Sequence, residues 1–121
     1  MSVRGVRGAT TVSGNQADDI LAATSELLEA IRAGNPSLQL VDLAGAWFTL
    51  TNDLDAVYPA QAARQLGWKL VPILCAAELP VPGSLPRCIR VLLLWNTDLP
   101  PEGVHHIYLR HAASLRPDLI G

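Results

Sequence analysis

The chain has 121 residues, half of them apolar and 17% charged, with nine basic against eleven acidic side chains and a formal charge of −2. That length fits one domain, and the absence of a basic stripe argues against a nucleic-acid binder. No unbroken apolar run is longer than Val91 to Trp95, which falls far short of the roughly 20 residues a membrane-spanning helix needs. So low a charge fraction on a small domain hints at surfaces buried between subunits. Cys75 and Cys88 have no paired-motif spacing and suit a reducing compartment. Arg4 and Arg7 interrupt the first apolar stretch, so it does not read as a secretory signal, and a cytoplasmic protein is expected.

In chain order, Ser2 to Val12 reads as a first strand whose alternation sends Arg4 and Arg7 to opposite faces. Ala17, Ile20, Leu21, Thr24, Leu27, Leu28 and Ile31 then form the stripe of an amphipathic helix. Asn15 suits its N-cap, Asp18 and Asp19 its first turn, and Gly34 with Pro36 its end. Val41 to Thr51 reads as a second strand, and Pro59 to Leu66 as a short helix closed by Gly67. Trp68 to Cys75 reads as a third strand, with Pro72 placing it at an edge or bulge. After a proline-rich turn (Pro80, Pro82, Gly83, Pro86), Cys88 to Thr97 is a strongly apolar strand and His105 to Ala113 a last one. Leu115 to Gly121 is a tail. The order β-α-β-α-β-β-β implies an α+β fold, a mixed sheet with helices packed on one face.

Generic catalytic signatures are missing. "RGVRG" has neither the P-loop lysine nor a dinucleotide pattern. Adjacent His105 and His106 point to opposite strand faces and suit one metal poorly, so neither metal nor cofactor is expected. Cys75 lacks the histidine context of a nucleophile. Trp47, Trp68 and Trp95 read as core or interface packing. Arg90 shares a strand face with Cys88, Leu92 and Leu94, so it is either paired with a carboxylate or reserved for a ligand. Arg7 poses the same alternatives, with simple exposure as a third. Glu78, after "LCAAE", is a solvated loop carboxylate or a functional group at a strand end. Strand arginines with a lone carboxylate and a tyrosine suit the binding of a small dianion with little covalent chemistry.

Five segments in order, "RGVRGATTV", "TNDLDAVYPAQAAR", "GWKLVPILCAAE", "CIRVLLLWNTD" and "HHIYLRHAASLRPDL", together resemble the monofunctional chorismate mutases of the Bacillus, or AroH, type, from about residue 3 to residue 119. The resemblance implies a homotrimer with an α/β pseudo-barrel core and active sites at the clefts between subunits. It implies the rearrangement of chorismate to prephenate, on the way to phenylalanine and tyrosine, without metal, cofactor or covalent intermediate. It assigns Arg7 to a substrate carboxylate, Arg90 to the ether oxygen, Cys75 and Glu78 to the ring hydroxyl, and Tyr108 to a carboxylate. Tyr58, Ala60 and Arg64 would surround the cleft, Ile73 and Leu74 would line it, and Leu115 and Arg116 would belong to a tail closing over ligand. Tyr58, Gln61 and Leu74 stand where the family often has Phe, Lys and Thr; the lost lysine bears on steering of an anion, and at Leu74 any polar contact falls to the backbone. A Rid-type trimeric deaminase and a non-catalytic metabolite sensor are the competing readings. Intact Arg7, Arg90, Glu78 and Tyr108 weigh against the sensor.

Overall fold

The computed structural model describes residues 2–115. Its elements are β1 (Val3–Thr11), α1 (Ala17–Gly34), β2 (Leu43–Leu50), α2 (Ala60–Gln65), β3 (Ile73–Ala77), β4 (Cys88–Asn96) and β5 (Ile107–Tyr108), with short 3-10 turns at Leu40–Asp42, Pro101–Gly103 and Arg110–Ser114. The strands form one mixed sheet in the order β3-β2-β4-β1-β5. Antiparallel β1 and β2 flank β4, and the edge strands β5 and β3 run parallel to β1 and β2. This is the α+β arrangement expected.

Strand alternation sorts the side chains. Ile89, Val91, Leu93 and Trp95 of β4 are buried, with Val6 of β1 and Phe48 of β2, in one core with Ile20, Leu27, Leu28 and Ile31 of α1. Of the predicted apolar stripe, Ile20, Thr24, Leu27, Leu28 and Ile31 are buried, while Leu21 is half-buried and Ala17 at the start of the helix is exposed. Gly8 is required where α1 presses on the sheet: a Cβ there would lie 2.7 Å from Ile31 Cδ1, 3.1 Å from Val91 Cγ1 and 3.2 Å from Leu27 Cδ1. The opposite sheet face carries Arg7, Trp47, Leu74, Arg90, Leu92 and Leu94, all half-buried or exposed.

Three local expectations change. Asn15 does not cap α1: Gln16 occupies the cap position in extended conformation with no side-chain bond to the helix. Asn15 instead crosses to a distant loop, where its Oδ1 accepts from the Asp55 and Ala56 N–H groups and its Nδ2 donates to Asp55. The third strand starts at Ile73, not Trp68, because Gly67 turns through φ +92° and drops Trp68 into the core. As Pro72 suggested, β3 is an edge strand; the Pro72 carbonyl accepts from the Ala46 N–H, a contact that needs no donor from proline. The last strand covers only Ile107 and Tyr108, since Arg110 adopts φ +53° and coils the chain into a 3-10 turn.

Candidate active site

On the open sheet face, Arg7, Gly8, Ala9, Trp47, Thr49, Glu78, Arg90, Val91, Leu92, Tyr108 and Leu115 line a cavity of about 640 Å³, within the range of small-molecule sites. Register explains the convergence. Ala9 of β1 and Thr49 of β2 both lie opposite Arg90 of β4, Tyr108 of β5 lies opposite Ala9, and Arg7 lies opposite Leu92. Glu78 follows β3, where its N–H donates to the Leu50 carbonyl (2.8 Å) and extends the ladder by one bond. Its even position puts it on the same side as Leu74 and Ala76.

Of the readings open in the sequence, the pairing of Arg90 with a carboxylate is the one the structure shows. Its Nε lies 3.1 Å from Glu78 Oε1, while 51% of its side chain remains exposed toward the cleft. Glu78 is the more enclosed partner, 22% exposed. The Thr49 hydroxyl donates to the same Oε1 at 2.5 Å. Glu78 is thus not a free loop carboxylate. The Arg7 backbone N–H donates to His106 Nδ1 at 2.9 Å, fixing the strand while its side chain stays exposed at the cavity. Arg4, on the opposite parity, donates through Nε to the Leu99 carbonyl and has a structural role.

The remaining candidates lie elsewhere on the chain. Tyr58 and Cys75 line a second cavity of about 640 Å³, sharing no residue with the first. Cys75 pairs with Phe48 on the helix-covered side of the sheet. Burial pushes its thiol up, against the opposing influence of the Ala60 N–H and the Arg64 guanidinium. Cys75, Ala60 and Arg64 therefore form a group of their own. Burial also raises the Cys88 thiol, with Arg90 opposing it. A thiol held protonated is a poor nucleophile. Ile73 and Leu74 border a smaller cavity of about 300 Å³ with Trp47, Pro72 and Leu94. Arg116 lies outside the described residues. Among the described residues no group of three or more His, Cys, Asp or Glu side chains gathers at one point, and no helix is long and apolar enough to cross a membrane.

Thr49 was not singled out in the sequence, and Trp47 was read only as core or interface packing. The signal was available: a strand over Val41 to Thr51 places both on one face, next to whichever strand carries Arg90. What the spacing does not reveal is that β2 and β4 are neighbours.

Residues 3–119 match the family described as chorismate mutase type I. The chain belongs to the type I chorismate mutases. The Thermus thermophilus chorismate mutase AroH is 54% identical over 117 residues, covering 97% of this chain and 96% of that protein. The Bacillus subtilis (strain 168) chorismate mutase AroH is 43% identical over 120 residues, covering 98% and 94%. A solved chorismate mutase from Clostridium thermocellum is 45% identical, superposes with a TM-score of 0.89, and covers 92% of this chain and 98% of that one. Like those relatives, this chorismate mutase is an isomerase.

Proposed function

We propose that this chorismate mutase converts chorismate to prephenate in the cleft around Arg90, and that a second copy of the chain completes each cleft. The observation that carries the reading is the gathering of Arg7, Arg90, Tyr108 and Glu78 around one cavity by three different strands and a strand end. Chorismate carries two carboxylates on a flexible frame. Arg7 and Tyr108 hold carboxylates and restrain the chair-like shape the rearrangement needs, removing rotational freedom before the barrier. Glu78, with Cys75 from the other group, meets the ring hydroxyl.

The C–O bond breaks ahead of C–C bond formation, so negative charge grows on the ether oxygen. Arg90 meets that charge. A guanidinium already in place stabilises the transition state more than the ground state, which is what raises the rate. Its pairing with Glu78 through Nε aims the group without consuming its charge on a dry, closed ion pair, since half the side chain stays open. No proton moves and no covalent intermediate forms.

Two features support a shared cleft. Tyr58, Cys75, Ala60 and Arg64 sit away from the Arg90 cavity of their own chain. Trp47 and Leu74 are 45% and 63% exposed on the face that holds Arg90, an apolar surface that fits burial against another protomer. The assembly inferred is the homotrimer with a pseudo-barrel core and the clefts between neighbours, in the cytoplasm. The direct test is to incubate the purified chain with chorismate and follow the fall of its ultraviolet absorbance with no additions. Unchanged absorbance, or deamination of an imine substrate instead, would overturn the reading.

A further inference from the structure

We propose that Thr49 is a positioning residue for this reaction, acting through Glu78 on Arg90; the inference rests on the reading of the Arg90 cleft given above. Thr49 faces Arg90 directly across the β2–β4 ladder. Its hydroxyl donates to Glu78 Oε1 at 2.5 Å, and the same oxygen receives Arg90 Nε at 3.1 Å. Both contacts fall on one oxygen, so the second carboxylate oxygen is the one left for a ligand. Thr49 therefore does two things. It selects which Glu78 oxygen engages the arginine, and it fixes the carboxylate that aims the guanidinium.

The residue type suits the task. Its β-branched side chain has restricted χ1 freedom, so the hydroxyl is held on the cleft side by the strand itself. Glu78 needs such support because it sits beyond the end of β3, where a single backbone bond to Leu50 continues the ladder. A small error in aim matters, since a charge-stabilising donor acts only at the right distance from the developing charge. Among the described residues, Thr49 Oγ1 is the side-chain hydroxyl recorded on this carboxylate.

The experiment compares Thr49→Val, Thr49→Ser, Arg90→Ala and Glu78→Ala, alone and with Thr49→Val added to the Glu78 variant. Valine keeps the shape and strand preference and removes only the hydroxyl. Expected for Thr49→Val is a fall in kcat of about tenfold with KM changed less than about threefold, the pattern of a lost transition-state interaction. Thr49→Ser should recover kcat to within about twofold of the parent. In the Glu78→Ala background, Thr49→Val should add less than about twofold, because the path runs through the carboxylate. A kcat within about twofold of the parent in Thr49→Val overturns the proposal, as does an undiminished effect in the Glu78→Ala background. Full activity in Arg90→Ala overturns the reading of the cleft itself, which the Thr49 comparison alone leaves standing.

Discussion

Replacing Arg90 by citrulline through semisynthesis separates its ion pair with Glu78 from the contact proposed for it with the reacting oxygen. Citrulline keeps Nε–H, and the recorded contact to Glu78 uses Nε at 3.1 Å. The geometry of the pair therefore survives while the positive charge is lost. With the two side chains 51% and 22% exposed, solvent screening limits the charge term in folding to less than about 1 kcal/mol. The chemical step is different. Removing a charged donor from a site where negative charge develops costs about 3–6 kcal/mol. At about 1.36 kcal/mol per factor of ten, that is roughly two to four orders of magnitude in kcat. Steady-state loss of chorismate absorbance gives kcat and KM, and thermal unfolding followed by circular dichroism checks the fold. A fall in kcat of less than about tenfold would refute the electrostatic account; so would a loss of activity matched by a loss of folded protein.

Gly8→Val should destabilise by about 1–3 kcal/mol, because even the first added carbon meets three core methyls; Gly8→Ala should fall at the low end, since the nearest atom is the end of the Ile31 side chain, and thermal unfolding of both variants checks the order. Burial raises the Asp53 carboxyl, but hydrogen bonds from the Thr51 hydroxyl and the Arg87 N–H, with the Arg87 charge, outweigh it and hold it below the usual range. A depressed folded value means that its contribution is present above the unfolded value of about 3.9 and disappears as pH falls through the folded one. Asp53→Asn should therefore lower the urea midpoint at pH 7 and make little difference at the acid end of the transition. Leu74→Arg places a charge in the apolar depression beside Trp47 and Leu94, and sedimentation should show smaller species than the parent forms.

Much of this fold is legible where a local pattern has one physical meaning. The α1 stripe names its buried side, and alternation in β4 puts Arg90 with Leu92 and Leu94 on the face that stays open. What escapes is non-local. Asn15 looks like a cap because the cap rule is local, yet its partners lie some forty residues away at Asp55 and Ala56. The stretch from Trp68 to Val71 suggests a strand; a left-handed glycine instead makes it a turn before the sheet edge, with Trp68 and Val71 buried and Lys69 and Leu70 exposed. Thr49 reads as ordinary strand composition until Glu78 arrives beside it from 29 residues further on. The Arg90 group is legible from the family's motifs, whereas its ion pair with Glu78 required the register of three strands.

The separation of the candidate residues into two groups has a consequence for mixtures of damaged chains. If the protomers close into the head-to-tail ring proposed above, each chain lends its Arg90 cleft to one site and its Cys75–Arg64 group to the next. Two inactive variants, one lesioned in each group, then complement one another when dissociated and reassembled together. Random exchange regenerates a fully intact pair of halves at roughly one site in four. Chains carrying both lesions on the same polypeptide regenerate none with each other, so the recovered turnover counts how the halves are shared.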